Sequence, residues 1–427
     1  MLIVQKFGGS SVSDAEHILR VANRIVQTVK AGNQVVAVVS AMGDTTDELI
    51  DLSTQITKSP PSREMDILLT AGERISMSLL AMAINELGVN AKSFTGQQAG
   101  IETTEKYGRA HISGVVPDRI MKTLDAGGVA VVAGFQGVHR KTNDVTTLGR
   151  GGSDTTAVAI AAALNADVCE IYSDVDGVFT ADPRVVKTAR KMKAVTYEEM
   201  LELAASGAKI LALRCVEYAR RFGVKIHVRS SFSDNEGTFI CDEHEVGRIM
   251  KEQDLEAPII SGVAHDSSES MISLVGLPDV PGIAAKIFDE VAKHGINVDM
   301  IVQNISKSVS GRSDISFTLP QSQAELGART LLEVSRELGG PEVHLEHNVG
   351  KLSLIGAGMK TNPGVSARFF SALNDAGVNV EMISTSEIRI SVVVSLDDLD
   401  RAVKALHTAF ELDSVEDEAV VYGGTGR

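Results

Sequence analysis

The stretch Gly149-Arg150-Gly151-Gly152-Ser153-Asp154-Thr155-Thr156 runs directly into the apolar segment 157–164 and reads as a tight glycine turn feeding a buried helix. The first N–H groups of such a helix have no internal partners, and the helix dipole adds partial positive charge there. The turn is therefore an anion site. Arg150 adds a planar cation suited to a carboxylate or a phosphate. Asp154 sets one acidic residue inside the same turn. The plainer alternative is a capped turn in which Asp154 only complements the dipole.

Outward from this turn, residues up to about 230 alternate strand and helix patterns. An apolar strand at 2–5 leads into Phe7-Gly8-Gly9-Ser10-Ser11. Ile18, Val21, Ile25, Val26 and Val29 give 14–30 a helical period. The Val-rich run 34–40 has the continuous hydrophobicity of a strand buried on both faces. A helix at about 64–87, a strand near 129–133, the helix 155–164 and a strand at 168–173 follow. Such alternation predicts an α/β fold with a mostly parallel sheet and helices on both faces. Ligands of these sheets sit beyond the carboxyl ends of the strands. The glycine and Ser/Thr clusters at 8–11, 40–46 and 149–156 fall there.

Residues 231–257 are dominated by Ser, Asp, Glu and Gly, close on Pro258, and read as a linker. Beyond them lies an internal repeat. Pro281-Gly282-Ile283, Ala292 and Gly295-Ile296-Asn297-Val298-Asp299-Met300-Ile301 recur as Pro363-Gly364-Val365, Leu373 and Gly377-Val378-Asn379-Val380-Glu381-Met382-Ile383. Each copy reads strand, Pro-Gly turn, amphipathic helix, glycine cap, strand, which predicts two small α+β domains packed together. The expected division is a catalytic domain at 1–230, a linker at 231–260 and α+β domains at 261–345 and 346–427, with a C-terminal strand returning to the first of the pair.

Composition excludes several function classes. The 427 residues suffice for two to four domains. The 41 basic and 56 acidic residues leave a net charge of −15, with no long basic run. Trp is absent and aromatics are 4%. Neither nucleic acid nor an anionic membrane is an expected partner. Cys169, Cys215 and Cys241 show no metal spacing, and the first two read as core residues. The histidines form no metal motif. The N-terminal apolar run is too short for a signal peptide, and no apolar run has the length of a membrane span, so a reduced, cytoplasmic protein is expected.

Three segments resemble the aspartokinase family. Lys6-Phe7-Gly8-Gly9-Ser10-Ser11-Val12 resembles its opening lysine–glycine motif, and 149–156 resembles its second signature. Ser173-Asp174-Val175-Asp176-Gly177-Val178-Phe179-Thr180-Ala181-Asp182-Pro183-Arg184 resembles its nucleotide loop. The repeat resembles two ACT domains, modules that bind free amino acids. The resemblance spans essentially the whole chain and implies a three-layer amino acid kinase domain followed by the ACT pair. The implied reaction is transfer of the γ-phosphoryl group of MgATP to the side chain of L-aspartate, giving 4-phospho-L-aspartate and ADP, at the entry to lysine, threonine and methionine synthesis. Mg²⁺ is implied with ATP, and no protein ligand to the metal is assigned.

The resemblance also implies roles. Lys6 would stabilise charge on the transferring phosphoryl group, with Asp154 orienting either Lys6 or the substrate amine. Phe7, Gly8 and Gly9 would form a backbone cradle for phosphate, and Ser40 would supply a hydroxyl. Thr45, Thr46 and Asp47 lie in the loop that meets aspartate in relatives. Glu73 matches a glutamate that pairs with the substrate ammonium. Arg150 matches an arginine that takes a substrate carboxylate, beside Gly151, Gly152 and Ser153. Ser173, Asp174, Phe179, Thr180, Asp182, Pro183 and Arg184 would contact the nucleotide, and Lys209 would be a second phosphate-binding lysine. Many relatives have Tyr at Phe179 and often follow the Lys209 position with His-Pro, where Ala212-Leu213-Arg214 stands here. Effector binding, by lysine and/or threonine, falls to Asp279, Gly282, Ile283, Ala284, Asn297, Val298, Asp299 and Gln303 in the first copy. Asn379, Val380, Ser384 and Thr385 are the second copy's contribution. A homo-oligomer through ACT pairing, or an α2β2 assembly using an internal start at Met250, is the implied quaternary form.

The chemistry agrees with these residue types. A carboxylate is already nucleophilic at neutral pH, so the site has to bring two anions together and neutralise charge. No Walker sequence is present, and the Gly8-Gly9 pair after a strand is the alternative phosphate cradle. Two rivals remain: an enzyme of the same kinase fold acting on glutamate, acetylglutamate or a nucleotide, and a non-catalytic amino-acid-sensing ACT protein with a kinase-like domain. Lys6, Glu73, Arg150 and Asp154 disfavour the second.

Overall fold

A computed structural model describes residues 1–250, 260–304, 311–357, 359, 362–414 and 419–422, with the backbone of 305. The first half runs β1 (Leu2–Phe7), α1 (Ala15–Lys30), β2 (Gln34–Val39), α2 (Thr45–Ile56), α3 (Ser62–Glu86), β3 (Ala91–Phe94), β4 (Ile101–Thr103) and β5 (Ile112–Val115). It continues with α4 (Asp118–Asp125), β6 (Val129–Ala133), β7 (Gln136–His139), β8 (Val145–Thr147), α5 (Gly152–Leu164), β9 (Val168–Ser173), β10 (Ala194–Thr196) and α6 (Tyr197–Ala205). Then come α7 (Leu213–Phe222), β11 (Ile226–Ser230), β12 (Thr238–Cys241) and α8 (Glu243–Met250).

One eight-stranded sheet has the order β10-β12-β11-β9-β1-β2-β6-β3, and every pairing but β11–β12 is parallel. Alternation along β2 explains why its sequence is apolar throughout. Val36 and Val38 pack toward Ile160 and Ile171, while Val35, Ala37 and Val39 pack with Ile25 and Leu80. The sheet thus lies between α5 on one face and α1 and α3 on the other. A smaller sheet, β5-β4-β7-β8, flanks it and carries the chain into α5.

α3 is long and apolar enough by length and composition to cross a membrane, although the sequence read without such a stretch. Its buried Asp66 and Glu73, and its packing against α1 and the sheet, are those of a core helix. Residues 238–250, expected as linker, fold as β12 and α8. Thr238, Ile240 and Cys241 are buried between β10 and β11, an apolar alternation masked by the polar residues around it. Of the other expected linker residues, 231–237 form no helix or strand, 251–259 lie outside the described residues, and 260 begins the next strand.

The second half contains β13 (Ile260–Asp266), β14 (Glu269–Pro278), α9 (Ile283–Lys293), β15 (Asp299–Ile305), β16 (Arg312–Pro320) and α10 (Ala324–Glu337). After these come β17 (Glu342–Glu346), β18 (Val349–Gly356), α11 (Gly364–Asp375), β19 (Met382–Thr385), β20 (Arg389–Ser395) and α12 (Leu399–Ala409). Two four-stranded antiparallel sheets result, β15-β16-β14-β17 and β13-β18-β20-β19. β13 thus completes the second sheet, not the first as the expected division had it. β18 is buried along its whole length and needs a neighbour on each side. Near the C-terminus, Asp413 bridges Ala189 and Val421 bridges Val175, both against loops of the first half.

The two small sheets meet through Met300, Val349, Met382 and Val393. A buried ammonium ties them to the first half. Lys351 Nζ lies 2.8 Å from both Glu269 and Asp299 and donates to the Ala205 carbonyl of α6 at 3.1 Å. Burial alone would lower the Lys351 pKa, but the two carboxylates outweigh it and raise it.

Candidate active site

The carboxyl ends of β1, β2 and β9 converge where the sequence placed its ligand loops. Lys6, near the end of β1, puts Nζ 2.6 Å from Asp154 Oδ1 in the first turn of α5. Gly149 and Gly151 hold the turn before α5 at φ +80° and +70°, the left-handed region that favours glycine. Asp154 is thus an ion-pair partner of Lys6 in this structure.

The two loops beside Lys6 are zipped together. Ser40 N donates to Phe7 O, and Gly43 N donates to Gly9 O, each at 3.1 Å. A Cβ on Gly9 would stand 2.9 Å from the Gly43 carbonyl, so the close approach requires glycine. The Phe7 ring stacks on Tyr172 at 4.7 Å in the core, so only its backbone borders the cradle.

α3 closes the other side. A Cβ on Gly72 would come within 2.6 Å of Ala41 Cβ, which is how closely the helix packs on the β2 loop. Ser76 Oγ donates to Ser40 O at 2.7 Å. Glu73 is 3% exposed, and its Oε1 accepts from Ala41 N at 3.2 Å while Oε2 has no hydrogen-bond partner among the described residues. Burial raises its pKa from 4.5 to about 7, partly offset by backbone hydrogen bonds. Thr45 and Thr46 begin α2, half-buried, with Asp47 exposed beside them. Ser153 and Gly152 are buried at the start of α5. Arg150 is exposed in its glycine turn, and among the described residues no ion pair engages its guanidinium. The elements around this centre thus carry cations at Lys6 and Arg150 and a buried carboxylate at Glu73 that no ion pair engages among the described residues.

A cavity of about 470 Å³ adjoins this centre. It is lined by Gly9, Asp47, Ser173, Asp174, Phe179, Asp182, Pro183, Arg184 and Lys209, so most of the expected nucleotide residues share one wall system. Arg184 pairs with Asp174 at 3.0 Å and with Asp182 at 3.7 Å. Thr180 does not line it. The Thr180 hydroxyl is turned away, against His407 Nε2 at 2.9 Å and the Leu412 carbonyl at 3.2 Å.

The sequence missed one wall. Val263, Ala264 and His265 of β13 also line the cavity, and Val263 N donates to Thr180 O at 2.7 Å. The glycines at 207 and 262 were the available signal. A Cβ on Gly207 would stand 2.2 Å from His265 O, and one on Gly262 2.6 Å from Thr180 O.

In the small sheets, Asp279, Gly282, Ile283 and Ala284 surround the turn into α9, with Gly282 at φ +96°. Asn297 N donates to Gln323 Oε1 at 3.0 Å. Both carboxylate oxygens of Asp299 are engaged, Oδ2 by Lys351 and Oδ1 by Met300 N at 2.8 Å. Gln303 lies on β15, and Ser384 and Thr385 lie on β19, which packs beside β15. Asn379 and Val380 precede β19, with Asn379 exposed and Val380 half-buried.

Comparison with known proteins gives one answer at each level. The amino acid kinase family model matches residues 1–230, and the ACT domain model matches 272–334 and 352–410. The aspartokinase of Mycolicibacterium smegmatis is 59% identical over 426 residues, covering 100% of both chains. The crystal structure of Escherichia coli aspartokinase III with aspartate and ADP, in its R-state, is 25% identical with a TM-score of 0.80, covering 96% of this chain and 100% of that one. The T-state of that enzyme, with lysine and aspartate, gives a TM-score of 0.70 at 25% identity, covering 95% and 99%.

Proposed function

The chain belongs to the aspartokinase family, and on that premise we propose that it transfers the γ-phosphoryl group of MgATP to the side-chain carboxylate of L-aspartate, giving 4-phospho-L-aspartate and ADP. The observation that carries this reading is the Lys6–Asp154 pair at 2.6 Å, on the strand that leads into the Gly9 loop lining the cavity. Asp154 fixes the Lys6 ammonium at the end of β1. From there it can neutralise charge on the transferring phosphoryl group without reorganising. The Arg150 fork takes the aspartate α-carboxylate, and Glu73, whose Oε2 has no partner among the described residues, takes the ammonium. Thr45, Thr46, Asp47, Ser153 and the Gly151-Gly152 backbone border the amino acid. Phe7, Gly8, Gly9 and Ser40 border the phosphates. Ser173, Asp174, Phe179, Asp182, Pro183, Arg184 and Lys209 hold the nucleotide, with Thr180 fixing the loop behind them.

Among the described residues no group of three or more His, Cys, Asp or Glu side chains converges, and Asp174 and Asp182 both face Arg184. Such a donor set suits Mg²⁺ that enters on the ATP phosphates, where it would screen their charge.

The ACT pair is proposed to bind lysine and/or threonine, at the turn 279–284 and along 297–303 of the first unit and at 379–385 of the second. The lysine complex of the E. coli enzyme supports lysine as one effector. We place the catalytic unit at 1–250 and the ACT pair from 260 on, with the strand at 260–266 serving the second unit. Assembly through ACT units, as a homo-oligomer or as α2β2, belongs to the same proposal.

ATP-dependent ADP release with L-aspartate, L-glutamate, N-acetyl-L-glutamate and UMP in parallel tests the reading. Release with aspartate alone is expected. Equal or greater release with another acceptor, or none with any, would overturn it.

A further inference from the structure

Asp66 is 1% exposed and in no ion pair among the described residues, yet its carboxylate is fully occupied. Oδ1 accepts from Gly108 N at 2.9 Å and Thr147 Oγ1 at 2.7 Å, and Oδ2 accepts from Gly108 N at 3.0 Å and Thr147 N at 2.9 Å. Burying a carboxylate is costly unless its oxygens are satisfied in this way. All four bonds go to the end of β8 and the loop beside it. Arg214 of α7 holds the same two segments from the other side, donating Nη1 to Leu148 O at 2.7 Å and Nη2 to Ala110 O at 2.9 Å. Between the clamps, Ala110 N donates to Thr147 O at 2.9 Å, tying the segments to each other.

Two residues after Leu148 comes Arg150. Asp66 lies seven residues before Glu73 on α3, two turns and about 10 Å along the same face. One helix therefore carries the carboxylate proposed for the substrate ammonium and anchors the strand that delivers the guanidinium proposed for the substrate carboxylate. Arg214 connects the same turn to the segment of Lys209, and Gly151 packs on Ala212, where a Cβ would come within 2.1 Å.

We propose that Asp66 and Arg214 are positioning residues for amino acid selection: gripping the backbone of Thr147 and Leu148 from opposite sides, they set the distance between Arg150 and Glu73. The inference rests on the reading that Arg150 and Glu73 hold the substrate. Asp66→Asn places an amide NH₂ against N–H donors and loosens the turn from α3. Arg214→Lys keeps the charge and loses the fork that spans two carbonyls. A displacement of about 1 Å at a site of this kind costs on the order of 10²-fold.

The test measures aspartate and ATP KM and kcat for Asp66→Asn, Arg214→Lys, Arg150→Lys and the double variants. Each clamp variant is expected to raise aspartate KM at least fivefold and leave ATP KM within twofold. In the Arg150→Lys background the same changes should cost less than twofold, because the clamps act through Arg150. A merely structural role would lower kcat with both KM values unchanged, or add its full cost in that background; either result overturns the inference. Should Asp66→Asn fail to fold, Arg214→Lys decides alone. If Arg150→Lys itself leaves aspartate KM unchanged, the substrate reading fails and the inference with it; if Arg150→Lys raises it and the clamps do not, the inference alone fails.

Discussion

Glu73→Gln removes a buried carboxylate of the centre that no ion pair engages among the described residues. In the folded protein burial raises the Glu73 pKa from 4.5 to about 7. The unfolded chain loses this proton near 4.5 while the folded chain keeps it to about 7. Stability therefore falls as pH rises between these values and is level on either side. The full loss is about 3 kcal/mol. Gln keeps the acceptor facing Ala41 N but leaves a buried N–H unpartnered, at a cost of about 1–3 kcal/mol independent of pH. The variant is therefore expected to match or fall below the wild type at pH 5 and to gain about 2–3 kcal/mol relative to it by pH 8.5. The substrate ammonium favours the ionised form, so aspartate should bind more tightly as pH rises through 7, with proton release on binding. The assay is a ¹³C NMR titration of the protein labelled at glutamate side-chain carboxyls, with Glu73→Gln assigning the resonance, alongside denaturant unfolding at the two pH values. A Glu73 resonance titrating near 4.5, or unfolding differences that do not change with pH, would refute the reasoning.

Lys6→Ala should lower kcat by about 10²-fold or more, because it removes one preorganised charge from the transition state; steady-state kinetics retaining over half of wild-type kcat would defeat the assignment. Lys351→Met leaves Glu269 and Asp299 facing a thioether. It should destabilise the protein by about 2–3 kcal/mol, discounted from the 3–5 typical of a broken buried pair because Asp299 is half exposed, and thermal unfolding measures it. Asn379→Ala, at an exposed residue of the proposed effector set, should raise the inhibitory concentration of lysine or threonine several-fold with aspartate KM unaltered in their absence; inhibition curves that superimpose on the wild type would place the effector site elsewhere.

The catalytic half was legible because its chemistry sits on regular elements. The Val-rich β2, the glycine turn before α5 and the Lys6 loop each have a local pattern, and a parallel sheet brings such loops to one edge. What escaped the sequence depends on long-range pairing. β12 hid among polar residues, and nothing local to 260–266 tells that this strand joins β18, pairing Ile260 with Gly356 and Asp266 with Lys351, and walls the cavity proposed for the nucleotide. The outward turn of Thr180 follows from His407 on a helix 227 residues away. Asp299 read as a free carboxylate for an ammonium ligand, but the ammonium that meets it is Lys351, fixed only once the two small sheets pack. Asp66 carried no motif, since its partners are Gly108, 42 residues on, and Thr147, 81 residues on.

The most direct test of the central claim is to trap the acyl phosphate. With ATP, L-aspartate and hydroxylamine present, the wild-type protein is predicted to yield β-aspartyl hydroxamate in equal amount to ADP, and Lys6→Ala to yield about a hundredth of the rate or less. ADP formed without hydroxamate, or hydroxamate on the α-carboxylate, would contradict the transfer assigned to this site.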